Sequence, residues 1–581
     1  MKRHTLYNKV LWAVALAALL GTYSCKDFLD QEPDERVIIS NADQVIKLLG
    51  TAYATGNWGW ICEVSSDNVI DVNAPFKDLK GKSTVHYNLS PYGREDEEAY
   101  KFEAVKSSTG TDSPTDVWES CYHAIATANH AIYYLDNICR EQYLNKDTTE
   151  KIKAAYAEAY LCRAYNHFLL VNIFSQAYKN DEDSRNDVGV PYMTDLEENL
   201  IGTYERGNVT DTYKAIEKDL EKGLEWVSNV NYQKPKWHFN INAAHAFAAR
   251  FYLFKRDYAK VIEHANAVLG EDYEVLPTKL MDYSAFDSCS TSGEYALQWQ
   301  TPDAANNLML VSTYSVQFRR QIGRRFTSAG DALKAIMYHT STDHNWTALP
   351  TAFVAGESFY DGNSDHGLIS ARIAEEFEYS DKVAGIGYAH IIRREFTANE
   401  LLLERAEARL LCEQHDIEGC VKDLIAYEDS RMSFSENDRK YYDPKQMTRE
   451  MMENWYDPTS TSRVNVLDDW TFTQHIDPTF VIPDYCYTYM NCLNDYRRYE
   501  TAYTGLRFFD LKRWGQEYYH VYSLNADTIW MRHDDVRRAI ELPQEVLAAG
   551  LGTSRPEPDK VTPTEYHESV PSCDRSAQSS R

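Results

Sequence analysis

The sequence predicts an all-α fold in which tetratricopeptide-like helix pairs are interrupted by two large loop-rich excursions. Three observations predict it. Apolar residues recur at helical spacing in several separate segments. Short turns join some of these into hairpins of the roughly 34-residue repeat type. Between them lie two long stretches rich in Ser, Thr, Gly, Asn and aromatic residues that lack this period, and loops of such length are functional or disordered.

Taken in order, residues 1–24 read as an export signal. Lys2, Arg3 and Lys9 precede an apolar run from Val10 to Leu20, followed by the small residues Gly21, Thr22 and Ser24. The run is too short for a bilayer that needs ~20 residues. Cys25 follows at once. Two readings stand: an ordinary signal peptide with a nearby cysteine, or a lipoprotein signal with Cys25 as the acylated first mature residue.

The first helix pair falls near 115–175. Trp118, Tyr122, Ile125, Ile132 and Leu135 stripe one helix. Ala157, Leu161, Ala164, Phe168 and Val171 stripe the next, whose other face is alanine-rich and admits a close neighbour. A second unit spans 210–270, with Ala244, Phe247, Phe251 and Phe254 on one helix, Tyr258, Val261, Ile262, Ala265 and Leu269 on the other, and Lys255-Arg256-Asp257 as the turn. A third pair covers 396–427, and a last helical stretch covers 490–517. The excursions are 65–113 and 277–390; within the second, EYALQWQ reads as a short strand. Residues 25–552 thus form one domain, and 553–581 read as a flexible tail.

With 88 acidic and 60 basic residues, the chain carries a net charge of −28. Loss of the basic signal makes it more acidic still. Nucleic acid and anionic lipid headgroups are therefore poor partners, and membrane attachment rests on lipid. Of the 11 cysteines, those at 121, 162, 412 and 420 fall in helical patterns as small buried hydrophobes. Cys486 and Cys492 are the pair least excluded from a disulfide. No cofactor is implied. No zinc-ligand spacing or EF-hand spacing occurs, although loop acids leave Ca²⁺ open.

Five motifs, in order, carry a family resemblance: CKDFLDQEP after the signal; VWESCYHAIATANHAI; AYAEAYLCRAYNHFLLVNIFSQAY with GVPYM; GLRFFDLKRWG at 505–515; and AIELPQEVL at 539–547. Together they resemble the SusD/RagB family of outer-membrane nutrient-binding lipoproteins across nearly the whole mature length. The resemblance implies a SusD-like fold, a lipid anchor on Cys25 facing the cell exterior, and glycan binding without catalysis. It also implies a partner, a SusC-like TonB-dependent transporter that imports the captured oligosaccharide. The alternative within this type is a peptide or glycopeptide cargo. A more distant one is a glycoside hydrolase, for which nothing selects a carboxylate pair.

Sugars need aromatic faces and hydrogen-bonding groups on loops over a rigid scaffold. The expected ligand face is therefore 71–93 with 295–360, and its candidates are Asp71, Asn73, Phe76, Tyr92, Trp299, Tyr314, Trp346 and Tyr360. Against this stands local packing of each aromatic. Trp58 and Trp60 are expected to be buried. The Arg319, Arg320, Arg324, Arg325 cluster is expected to form a solvated face or to pair with acidic neighbours, or else to admit uronic or sulfated glycans. Arg507, Asp510, Arg513 and Trp514 are expected to lock a helix into the core.

Overall fold

A computed structural model describes residues 39, 41–77, 83–84, 92–141, 146–196, 204–286, 288–321, 324–328, 340–341, 358–360, 368–431, 447–457, 463–464, 477–550, 552 and 554–555. Cys25 and Trp346 lie outside the described residues, as do the signal and nearly all of the tail. Two short helices open the described chain, α1 (Ala42–Leu49) and α2 (Gly59–Val64). A two-residue strand, β1 (Ile70–Asp71), and α3 (Arg94–Tyr100) follow.

The predicted first pair is two long helices, α4 (Pro114–Glu141) and α5 (Lys146–Phe174). The helix α6 (Val209–Trp226) packs on the far side of α5. The alanine-rich face explains the sandwich: Ala155, Ala157, Ala159 and Ala164 are all buried. Arg163 on α5 stitches the three helices. Its Nε and Nη2 donate to Asp219 on α6 at 2.7 and 2.8 Å, and Nη1 donates to Asn129 on α4 at 2.9 Å.

The second hairpin is α7 (Ile241–Lys255) and α8 (Tyr258–Leu269). Its turn falls on the expected tripeptide, with Arg256 left-handed at φ 64° and Asp257 capping α8. The third is α11 (Ala398–Leu411) and α12 (Ile417–Arg431). Between them come α9 (Ser292–Gln300), β2 (Asn307–Tyr314), α10 (Gln317–Gln321), β3 (Phe326–Thr327), β4 (Glu375–Asp381) and β5 (Ile386–Thr397). After the third pair come α13 (Arg449–Tyr456), α14 (Tyr487–Thr501), α15 (Leu506–Trp514) and the hairpin β6 (Tyr518–Tyr522) with β7 (Asp527–Met531).

Three expectations change. EYALQWQ is helical, not a strand, because Thr291 and Glu294 form a reciprocal capping box that starts α9. The second excursion is not merely irregular: β5 is the centre of a three-stranded antiparallel sheet in the order β2–β5–β4. The 490–517 stretch is two helices, broken at Gly505 with φ 87°. A Cβ there would lie 2.9 Å from the Gly59 carbonyl oxygen and 3.0 Å from Cys62 Cβ. Cys486 and Cys492 are both buried free thiols.

The third pair is locked to its neighbours by charge. Arg405 on α11 forms a two-armed pair with Asp423 on α12, at 2.7 and 3.0 Å, and donates to the Gly270 carbonyl at the end of α8. Arg250 on α7 holds Glu400 on α11. Glu407 on α11 accepts from Arg513 and from the Trp514 indole on α15, while Arg497 on α14 and Arg513 share Asp510. The C-terminal GLRFFDLKRWG motif therefore does what the sequence predicts of it: it locks a helix into the core.

Candidate functional site: an aromatic sheet and the seam beside it

The two excursions meet. β1 pairs antiparallel with β3, Ile70 opposite Thr327 and Asp71 opposite Phe326. Asp71 is buried and its carboxylate accepts both Nε and Nη2 of Arg325, at 2.9 and 2.8 Å. It also accepts the backbone N–H of Asn73 and of Ser523. Both of its oxygens are thus held within the seam. Arg325 continues outward, donating to the Tyr92 hydroxyl at 3.0 Å and stacking on the rings of Tyr92, Phe326 and Tyr522. Tyr92 stands edge-on to Phe326 with its other side in solvent. Phe76 and Tyr360 lie on short strands, Phe76–Lys77 and Ser358–Tyr360, of which only the backbone is described.

Arg319, Arg320 and Arg325 of the arginine cluster pair with acids, as expected, while Arg324 donates to the Arg319 carbonyl. Arg320 on α10 reaches Glu95 and Asp96 on α3, each at 2.8 Å. Arg319 donates from Nε to Glu375 at the start of β4, at 2.9 Å. The helix α10 is therefore a bridge, with the Tyr92 seam on one side and the sheet on the other. Asp96 also accepts the Trp60 indole N–H at 2.7 Å, and both Trp58 and Trp60 are buried, as expected.

The sheet is rooted in the core and its tip stands in solvent. At the root, Met309, Leu310, Ile391 and Phe396 are buried. At the tip, side chains that burial would favour are exposed. On one face Tyr314 and Tyr388 are 45% and 56% exposed, with ring centroids 5.4 Å apart. Register explains the pair: Tyr314 lies opposite His390, one same-face step from Tyr388. His390 faces Glu376 across β4, 3.6 Å away. On the opposite face Phe377 and Tyr379, two residues apart on β4, pack edge to face at 4.9 Å. They lie opposite Ala389 and Gly387. Gly387 is required there, because a Cβ would come within 2.1 Å of the Glu378 carbonyl oxygen and 2.8 Å of the Phe377 ring.

Exposed single apolar residues are ordinary, but clusters are not. Among the described residues the large exposed apolar side chains number 16, and six of them are on this sheet or its β4–β5 turn: Tyr314, Phe377, Tyr379, Val383, Ile386 and Tyr388. Paired rings flanked by Glu376, Glu378 and His390 offer C–H stacking with hydrogen-bonding groups beside it, which is the chemistry a pyranose ring needs.

Of the sequence candidates, Tyr92 and Tyr314 are at this surface. Asn73 sits half-buried in the turn after β1, its N–H bonded to Asp71. Trp299 is buried at the far end of β2, clamped between the guanidiniums of Arg372 and Arg394, 4.7 and 3.5 Å from its ring centroid. Sequence reasoning missed Phe377, Tyr379 and Tyr388, which fall beyond the 295–360 window. The alternation in EEFEYSD and the GIGYAH stretch was the available signal. Among the described residues no group of three or more His, Cys, Asp or Glu is placed to hold a metal ion, and no helix is long and apolar enough to cross a membrane.

Residues 27–253 match the sequence model of a family named SusD-like and described as "Starch-binding associating with outer membrane". SusD-like protein P2 of Formosa agariphila is 26% identical over 181 residues, which are 30% of this chain and 31% of that relative. The match thus spans under a third of the relative's length. Among solved structures, a SusD superfamily protein from Bacteroides thetaiotaomicron aligns with a TM-score of 0.56 at 16% identity, covering 89% of this chain and 98% of the other. Surface glycan-binding protein A from Bacteroides fluxus aligns with a TM-score of 0.50 at 16% identity, over 89% and 100%. At such identities these structures establish the fold. The N-terminal part of the chain thus resembles the SusD-like family, and the fold is that of the SusD superfamily structures.

Proposed function

We propose that this SusD-like chain is a non-catalytic, cell-surface glycan-binding lipoprotein, tethered to the outer membrane through acylated Cys25. It captures oligosaccharide on the β2–β5–β4 tip and delivers it to a partner TonB-dependent transporter. The concentration of exposed aromatic rings on that tip carries the reading. The family's description as starch-binding and the name of the Bacteroides fluxus protein support the class of ligand. Tyr314 and Tyr388 stack on the sugar. Glu376, Glu378 and His390 address its hydroxyls. The ion-paired seam around α10 keeps the sheet fixed to the scaffold, so the face is pre-formed and little ordering opposes binding.

The test is binding of residues 26–581 to a panel of plant, host and microbial polysaccharides, with Tyr314→Ala and Tyr388→Ala alongside. Binding by the unsubstituted chain, weakened tenfold or more by either change, supports the reading. Binding that survives both moves the site elsewhere. Failure to bind any glycan, with the fold intact by circular dichroism, overturns it.

A further inference from the structure

The two edges of the β2–β5–β4 sheet end differently. The β2 edge is closed: the Tyr314 N–H donates to the Thr55 carbonyl at 2.8 Å, and Gly56 bridges to Tyr314. The β4 edge is bare. Among the described residues no strand lies beyond β4, and no backbone group of another element pairs with it. Its ladder to β5 is regular from Glu375 to Tyr379 and breaks at Ser380. That stretch, about 17 Å long at ~3.3 Å per residue, presents an open row of N–H and C=O groups, which is a template for another strand.

The side chains beside that row divide by face. Glu376 and Glu378 lie opposite His390 and Tyr388, so they share the face of Tyr314. Phe377 and Tyr379 take the other face, opposite Ala389 and Gly387. All four are exposed. Among the described residues no lysine or arginine pairs with Glu376 or Glu378, and His390 stands 3.6 Å from Glu376. Glu375, at the root of the strand, is held by Arg319.

This pattern selects what can be added. A second copy of the chain fits badly. Two β4 strands paired antiparallel over this stretch set Glu376 against Glu378, or Glu378 against itself, and like charges directly opposite are destabilising. No Pro or Lys interrupts residues 375–379. The acids therefore close the edge to its own kind and leave it open to the opposite charge. A strand that alternates basic and apolar residues sets its cations beside Glu376 and Glu378 and its apolar side chains beside the Phe377–Tyr379 pair.

We infer that the bare edge of β4 is a docking site for an extended segment of a partner protein in which basic and apolar residues alternate, added to the sheet as a fourth strand. Main-chain hydrogen bonds supply the affinity, and the alternating side chains set the register. The inference does not rest on the glycan reading, since Tyr314 lies on the far strand of the sheet.

The test is fluorescence anisotropy of a labelled, end-blocked peptide, Thr-Lys-Val-Lys-Val-Thr, titrated with residues 26–581. Beside it run the same residues in block order, Thr-Lys-Lys-Val-Val-Thr, a version with Glu in place of Lys, and two forms N-methylated at alternate amides. The alternating peptide is expected to bind at least tenfold more tightly than the block-order one. One N-methylated form should lose binding and the complementary form keep it, because a strand pairs with one neighbour through every second residue. Glu378→Lys should weaken binding tenfold or more and admit the Glu peptide instead. No binding of the alternating peptide overturns the inference. So does equal affinity for the block-order peptide, or equal binding of both N-methylated forms, since either marks adsorption by charge alone. A dimer in sedimentation that Phe377→Ser dissolves makes a second copy the occupant and also overturns it. Glycan binding without peptide docking sinks this inference and leaves the glycan reading; docking without glycan binding does the reverse.

Discussion

The helical scaffold and the three-stranded sheet use the same residue types in opposite ways. In the scaffold, arginines and aromatics are consumed internally. Arg405 and Asp423 are both 0% exposed, and Glu407 takes Arg513 and Trp514 together. At the sheet tip, Tyr314 pairs with Tyr388 and Phe377 with Tyr379, and all four rings keep roughly half of their surface in solvent. Residue type therefore does not mark a site in this chain; saturation does. A ring whose faces and edges are all occupied holds the fold, and a ring with a free face is available to a ligand.

The largest expected effects break the scaffold side of this contrast. Glu407→Leu strips Arg513 and Trp514 of their acceptor and leaves buried guanidiniums under-paired; it should cost about 3–5 kcal/mol in urea denaturation. Trp299→Ala empties the slot between Arg372 and Arg394 and should cost a similar ~3–5 kcal/mol. If instead Trp299→Ala leaves the unfolding midpoint unchanged and abolishes glycan binding, the contrast is wrong at that residue. On the sheet side the pattern should invert. Tyr388→Ala should shift stability by no more than about 0.5 kcal/mol, as exposed substitutions do, while weakening glycan binding tenfold or more.

A smaller effect concerns Lys512 on α15. Its ammonium is fully buried and donates to the Asn172 carbonyl at 2.6 Å, in the last turn of α5. Burial pushes its pKa down to about 7. The unfolded chain titrates near 10.4, so between about pH 7 and 10 it holds a proton that the folded chain lacks. The contribution of Lys512 to stability therefore improves as pH rises through that window. Lys512→Met should raise the melting temperature at pH 6, with a gain that shrinks by pH 9; a gain independent of pH would reject this account. Asp67 works in the other direction. Burial alone would raise its pKa, but Arg498 and Arg507 hold the carboxyl down at about 2. Its contribution is present above the ordinary carboxylate range and is lost as pH falls from about 4 towards 2. Asp67→Asn should flatten that acid limb of the stability profile.

The helical half was legible because its determinants are local. A stripe such as Phe247, Phe251 and Phe254 and a turn such as Lys255-Arg256-Asp257 are read within one window. The GLRFFDLKRWG arginines were read as structural for the same reason, since Asp510 and Arg513 are one helical turn apart. The site was legible only in part, because saturation is set by distant partners. Asp71 looked available until Arg325, 254 residues later, occupied it. Trp299 looked like a loop aromatic until Arg372 and Arg394 covered its ring. Tyr388 gained its meaning from the register that sets it beside Tyr314.

The long reach of the N-terminal acids has a kinetic side. Asp67 closes on Arg507 across 440 residues, and Glu63 takes the backbone N–H groups of Tyr503 and Gly505 across 440 and 442. Contacts this remote in sequence slow folding, because chain closure must precede the reward. A growing chain cannot satisfy the 63–71 segment until most of its length exists. The α4–α5–α6 sandwich can assemble early, but the segment that carries β1 waits for α15. The seam beside the aromatic sheet is thus among the last parts of the molecule to set, and the unfinished chain stays open until the final helices arrive.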